Sequence, residues 1–243
     1  MRNSRIYTDQ PLTAGAAITL GEQQSHYLGR VLRLPVGAAV TLFNGDGNDY
    51  AASISAIDKR SVTVSIDSAA AVQTESPLAI HLGIAISKGE RMDFVMQKAT
   101  ELGVSAITPL ISERVEVRLS GERADKRWQH WRGVITSACE QCGRARLPQL
   151  HAVATLSDWI GNVDVEQRFV LHHRSEYSLD TATKPRSVAL LIGPEGGLSA
   201  AEIAAAERAQ FAALTLGPRV LRTETAPLTA LAILQHRWGD LGD

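Results

Sequence analysis

Cysteine is scarce in this chain, two residues in 243, so no disulfide framework is available and a reducing cytoplasm is the expected compartment. Aromatic residues are thin as well, at 5%. Long apolar runs are missing: residues 78–86 are interrupted by His81, and 188–192 falls far short of the roughly 18 to 20 residues a membrane helix needs. No membrane association is therefore expected. The first thirty residues open Met1-Arg2-Asn3-Ser4-Arg5 without the continuous apolar centre of a secretory signal. Neither charge sign dominates, since 25 Lys and Arg face 26 Asp and Glu, and a net charge of -1 removes the global basic field of many nucleic-acid binders. There is no internal repeat and no low-complexity tract. What remains, 44% apolar and 21% charged, is the composition of a globular chain with room for one large or two modest domains.

The near-neutral total hides a local surplus. Between residues 114 and 146 the cations Arg114, Arg118, Arg123, Lys126, Arg127, Arg132, Arg144 and Arg146 outnumber Glu116, Glu122, Asp125 and Glu140 two to one. A solvated helix face explains such a surplus, and an anion-binding surface is the functional alternative.

Periodicity divides the chain. Apolar residues at Tyr27, Leu28, Val31, Leu32 and Leu34 are spaced for one short helix over 23–33, stopped by Pro35 and Gly37. Three β-rich runs follow at 39–43, 50–57 and 61–66, separated by polar turns, which reads as a strand meander. Residues 68–77 lose periodicity and end in Pro77, as a linker does, and the expected division is 1–72, a linker at 73–77, and 78–243. Beyond it strands expected at 78–86, 107–111, 168–171, 187–192 and 213–216 alternate with helices at 90–102, 126–142, 200–209 and 228–237. That alternation implies a mostly parallel sheet with helices on both faces.

Two segments carry more polar and glycine residues than connectors need. Gly193-Pro194-Glu195-Gly196-Gly197 follows the apolar strand at 187–192 and precedes Ser199 and Glu202, spaced as a capping box. A glycine turn at the carboxyl end of a parallel strand is a usual ligand position, although a tight turn alone would also want glycine. It is not a phosphate loop, because the last glycine is not followed by a Lys-Ser/Thr pair and Glu195 adds negative charge. The second segment runs from Leu216 to Pro227 and includes Gly217, Arg219, Leu221, Arg222, Thr223, Glu224 and Thr225. Thr225 as a cap and Pro227 in the first helical turn account for its end, but not for Arg219, Arg222 and Glu224.

Other features are weaker. Cys139-Glu140-Gln141-Cys142 falls late in a helix, where no dipole lowers a thiol pKa, and a zinc site would need two further ligands, so both cysteines read as structural. His172-His173 lacks a metal-ligand partner set, His26 reads as a packing residue, and no metal is expected. Lys88-Gly89-Glu90-Arg91-Met92-Asp93 offers either an anion site at a helix start or an ordinary charged first turn.

Together these segments resemble the 16S ribosomal RNA uridine-N3 methyltransferase family, the RsmE type, within the SPOUT superfamily. The likeness runs nearly end to end. It covers His26-Tyr27-Leu28, Phe43-Asn44-Gly45-Asp46-Gly47, Lys88 to Asp93, Gln97-Lys98-Ala99-Thr100-Glu101-Leu102-Gly103-Val104, Glu140-Gln141-Cys142-Gly143-Arg144, the Gly193 turn, and Leu216 to Ala226. The resemblance implies an α/β fold in which a PUA-like β-barrel for RNA binding precedes a trefoil-knotted methyltransferase domain. It implies methyl transfer from S-adenosylmethionine to N3 of a specific uridine of 16S rRNA in the small ribosomal subunit, by a homodimer. Cofactor binding carries over to Leu171, His172, Gly193, Glu195, Gly196, Gly197, Leu216, Gly217, Leu221, Arg222, Thr225 and Ala226. The eight cations of 114–146 become candidates for rRNA phosphate contact. Arg222 is the candidate cation for charge developing on the uracil carbonyls, and Glu224 is either a base or the ion-pair partner of Arg222. Methylation of another RNA position, or RNA binding without catalysis, would be the rival classes.

Overall fold

Alternating burial in the first third of the chain builds a five-stranded sheet. In this computed structural model, which describes residues 4–116, 119, 121–172 and 183–242, its strands are β1 (Ser4–Tyr7), β2 (Ala17–Thr19), β3 (Ala39–Phe43), β4 (Asn48–Ile57) and β5 (Val62–Ala71). Their order is β1-β3-β4-β5-β2, with β1 parallel to β3 and the other pairs antiparallel. Tyr50, Ala52 and Ile54 on β4, and Val62, Val64 and Ile66 on β5, share one face by the two-residue period and bury against Ile6, Leu28 and Leu42.

Two expectations are corrected here. The strand expected at 61–66 does not stop where periodicity is lost: residues 68–71 extend β5, with Ser68 to Ala71 paired to Ala51 to Asn48. Their small side chains carry little β signal, and the pairing with β4 is what orders them. The helix expected over 23–33 is instead α1 (Glu22–His26) continued by a π-helical turn, Tyr27–Val31, that buries Leu28.

Residues 1–75 and 139–147 form the first unit. Within it Arg5 donates to Asp49 at 2.6 Å and to the Cys139 carbonyl at 2.7 Å, with its guanidinium carbon 4.4 Å from the Phe43 ring centre. Glu140 accepts from the Tyr7 backbone N–H at 3.0 Å, and Arg144 grips Glu75 at 2.5 and 3.2 Å.

The second unit, residues 76–138 and 148–243, is built on a parallel sheet. Its strands are β6 (Ala79–Ala85), β7 (Ala106–Ile111), β8 (Gln149–Leu150), β9 (Ala154–Thr155), β10 (Gln167–Leu171), β11 (Ser187–Ile192) and β12 (Ala212–Leu214). They run in the order β12-β10-β11-β6-β7-β8, with β9 also on β7. Central strands buried on both faces explain the unbroken apolar runs Leu82 to Ile86 and Val188 to Ile192. The helices are α2 (Arg91–Glu101), α3 (Glu122–Cys142), α4 (Leu156–Asn162), α5 (Ala200–Arg208) and α6 (Thr225–Trp238). The last residues of α3 belong to the first unit. Gly103 at φ +78 closes α2, and Gln235 of α6, fully buried, donates to the Gly103 carbonyl at 3.2 Å and accepts from Ser76 at 2.6 Å. No described helix is long and apolar enough to cross a membrane.

Candidate active site

Three strand ends meet at one pocket. Because β10 lies between β11 and β12 and all three are parallel, the segments leaving their carboxyl ends emerge side by side. The His172 N–H donates to the Leu214 carbonyl at 3.1 Å, and the Thr215 hydroxyl donates to the His172 carbonyl at 3.0 Å. The result is a pocket of about 840 Å³ lined by Leu171 and His172, by Ile192 to Leu198, and by Leu214 to Glu224 with Ala226.

Glycine is needed here for separate reasons. A Cβ on Gly193 would sit 2.9 Å from the Leu198 side chain, so that position needs the space. Gly197 (φ +69) and Gly217 (φ +68) occupy the left-handed region that side chains disfavour. The turn is then handed to α5 by the expected capping box, in which Ser199 accepts from the Glu202 N–H and Glu202 accepts from the Ser199 N–H at 2.8 Å.

The charges around the pocket pair differently from what local spacing implies. Arg91, the first residue of α2, places Nη1 2.8 Å from Glu195 Oε1 and Nε 3.8 Å from Glu224 Oε2. Glu224 is thus paired with Arg91, and among the described residues Arg222 has no ion-pair partner. Partial burial pushes the Glu195 carboxyl up, but hydrogen bonds from its own backbone, Arg91 and the Lys88 N–H, with the Arg91 charge, hold it below the usual carboxylate range. Arg114 donates from Nη1 to the Gly196 carbonyl at 2.8 Å, and Lys88 pairs with Glu116.

All the residues singled out as cofactor candidates line this pocket except Thr225, which is exposed and begins α6 rather than capping it. Sequence reasoning did not place Arg91 there, and read Arg114 only as a member of a basic run. The motif from Lys88 to Asp93 held the signal for Arg91, but an ordinary charged first turn explained it equally well.

The eight basic candidates do not form one group. Arg118 and His173 lie outside the described residues. Arg123 and Lys126 are exposed on α3, while Arg127 and Arg132 are half-buried. Arg146 is exposed but belongs to the first unit. Arg144 must be withdrawn as a surface contact, because it is 4% exposed and its guanidinium is spent on Glu75. The two cysteines are free, and burial raises the Cys139 thiol to about 12.

Comparison with known proteins fits this geometry. The RNA methyltransferase domain family matches residues 74–235, and the RNA methyltransferase PUA domain family matches residues 20–67. Ribosomal RNA small subunit methyltransferase E of Buchnera aphidicola subsp. Schizaphis graminum is 35% identical over 242 residues, spanning 99% of this chain and 98% of that protein. The chain belongs to the ribosomal RNA small subunit methyltransferase E family. Its counterpart from Bacillus subtilis is 27% identical over 95% of this chain and 94% of its own length. The crystal structure of the Neisseria gonorrhoeae member, bound to S-adenosylmethionine, superposes with a TM-score of 0.92 at 36% identity, covering 98% of this chain and 99% of that one. A Legionella pneumophila protein described as a methyltransferase, also solved with bound S-adenosylmethionine, gives 0.96 at 45% identity, with 99% and 100% covered. The PUA-like first unit and the parallel α/β second unit of this family member therefore agree with the folds expected from the sequence.

Proposed function

We propose that this protein transfers the methyl group of S-adenosylmethionine to N3 of a uridine in 16S rRNA of the small ribosomal subunit. The observation that carries this reading is the convergence of the 171–172, 193–197 and 216–226 segments on one pocket, in a chain whose fold matches a family member bound to that cofactor. The pocket suits the molecule. Glycine turns expose backbone amides and carbonyls to adenine and ribose, and the carboxylates Glu195 and Glu224 tolerate a sulfonium nearby. The cofactor supplies an electrophilic methyl group, and the chain must orient the base and manage its proton.

Uracil N3 carries a proton at neutral pH, so either the proton is removed or the anion forming on the neighbouring carbonyls is stabilised. Arg222 provides a permanent cation whose planar fork can face a carbonyl. Glu224 is the candidate base. Arg114, Arg123, Lys126, Arg127 and Arg132 of the second unit, with Arg146 of the first, supply rRNA phosphate contacts.

The same reading includes a cytoplasmic homodimer with a trefoil knot in the carboxyl-terminal half. Ile233 of α6, 38% exposed, offers an apolar position for packing against a second copy. Mass mapping of methylated uridines in 16S rRNA from cells with and without this protein tests the activity. Loss of one N3-methyluridine is the expected result, and an unchanged map overturns the reading.

A further inference from the structure

Arg91 contacts both carboxylates of the pocket, which belong to loops leaving different strands. Glu195 follows β11, Glu224 ends the segment after β12, and the single guanidinium between them comes from the start of α2, after β6. It is the one side chain among the described residues that forms ion pairs with both loops. The two loops differ in their other support. The 193–197 loop is also held by Arg114 on the Gly196 carbonyl, at 2.8 Å, and by the Lys88 N–H on Glu195, at 3.4 Å. The Glu224 carboxylate has Arg91 as its cation, and Arg222 stands only two positions away without an ion-pair partner among the described residues.

We propose that Arg91 is a positioning residue, a clamp that sets the 216–224 segment against the 193–197 loop and keeps Glu224 from neutralising Arg222. The inference rests on the reading of the pocket as the cofactor and target-base site. An arginine suits this role because its fork presents separate N–H groups in one plane, here Nη1 to Glu195 and Nε toward Glu224. A lysine lacks that planar fork and offers a single ammonium in place of two separate N–H positions. Since Arg91 is 41% exposed on its side chain, removing it disturbs the loops and leaves the core intact.

Hydrogen exchange on the unliganded full-length protein tests the clamp directly. In Arg91→Ala, amides in 216–224 should exchange roughly fivefold faster or more, with little change at Gly196 and Gly197 and no shift in Tm. Glu224→Gln should give the same pattern, and the double variant should add nothing, because both changes break the same ion pair. Arg91→Lys should leave 216–224 exchanging faster than in the wild type, with Gly196 and Gly197 again little changed. Calorimetry should show cofactor affinity weakened about tenfold in Arg91→Ala, and single-turnover methylation at saturating cofactor should remain slow, since Arg222 is then neutralised. Unchanged exchange in 216–224, additive single effects, or acceleration across the whole unit with a lowered Tm would each overturn the clamp. If the wild-type protein fails to bind S-adenosylmethionine, the pocket reading fails by itself, and the exchange arm still decides the clamp.

Discussion

Trp159 of α4 lies across Gly83 of β6 so closely that a Cβ at that glycine would stand 2.5 Å from the indole ring. The indole is 6% exposed and packs with Leu110, Leu191 and Phe211, so it has no room to retreat. Its Nε1–H donates to His81 Nε2 at 3.2 Å, which anchors the ring over the central strand.

Gly83→Ala should therefore destabilise the protein by about 1–3 kcal/mol through overpacking, although alanine fits the strand backbone. Urea unfolding, with the midpoint lowered and the slope unchanged, measures this. An unaffected midpoint would show that α4 shifts at no cost.

His81 sets a second expectation. Burial, and then the charge of His151 stacked at 4.9 Å between ring centres, push its pKa down to about 4. As pH falls below the unfolded value near 6.5, the unfolded chain binds a proton that the folded chain refuses until pH is near 4. Stability is thus complete above that window and is lost as pH falls through it. Tm measured at pH 7 and pH 5 should drop more in the wild type than in His81→Gln, whose side chain keeps an acceptor for Trp159. Equal drops in the two proteins would remove His81 as the cause.

Thiol chemistry should separate the cysteines. Cys139 is buried and its thiol is raised to about 12 by burial against a smaller opposing effect of Arg144, whereas Cys142 is partly exposed. At pH 8 a thiol reagent should label Cys142 of the native protein and reach Cys139 only in denaturant. Rapid labelling of both would contradict the packing at the end of α3.

On the catalytic side, Arg222→Ala should slow the chemical step by roughly a hundredfold or more if it stabilises charge developing on uracil. Glu224→Gln should flatten the pH dependence if Glu224 is the base, and should give a uniform loss at every pH if it serves only through Arg91. Single-turnover methylation across pH, with cofactor binding measured alongside, distinguishes these. Normal methyl transfer by Arg222→Ala at saturating RNA and cofactor would exclude Arg222.

For RNA contact, charge reversal at Arg123, Lys126, Arg127 and Arg132 should reduce the salt dependence of rRNA binding, by about 0.7 to 0.9 in log–log slope for each phosphate no longer neutralised. Cofactor affinity should stay constant. An unchanged slope would make this part of α3 a solvated face.

Much of this molecule is local and can be read along the chain. The run Val188 to Ile192 announces a strand buried on both faces, Gly193 to Gly197 a turn that side chains would obstruct, and Ser199 with Glu202 a helix start. These depend on residues within a few positions of one another, so periodicity and turn chemistry expose them. The reading fails where order is imposed from elsewhere. Ser68 to Ala71 are strand because β4 supplies the partners, and α4 escapes notice because its short apolar face, Leu156, Trp159 and Ile160, makes sense only over β6 and β7. Arg144 looks like one more cation in a basic run until Glu75 is seen beside it. The pairing of Glu224 with Arg91 instead of Arg222 follows from the order of β12, β10, β11 and β6 across the sheet. The sequence by itself determined most of the elements, the turns and the segments able to bind a ligand. Only the tertiary structure decided which charges neutralise one another, because an ion pair depends on distance in space, and strand order rather than sequence spacing sets that distance.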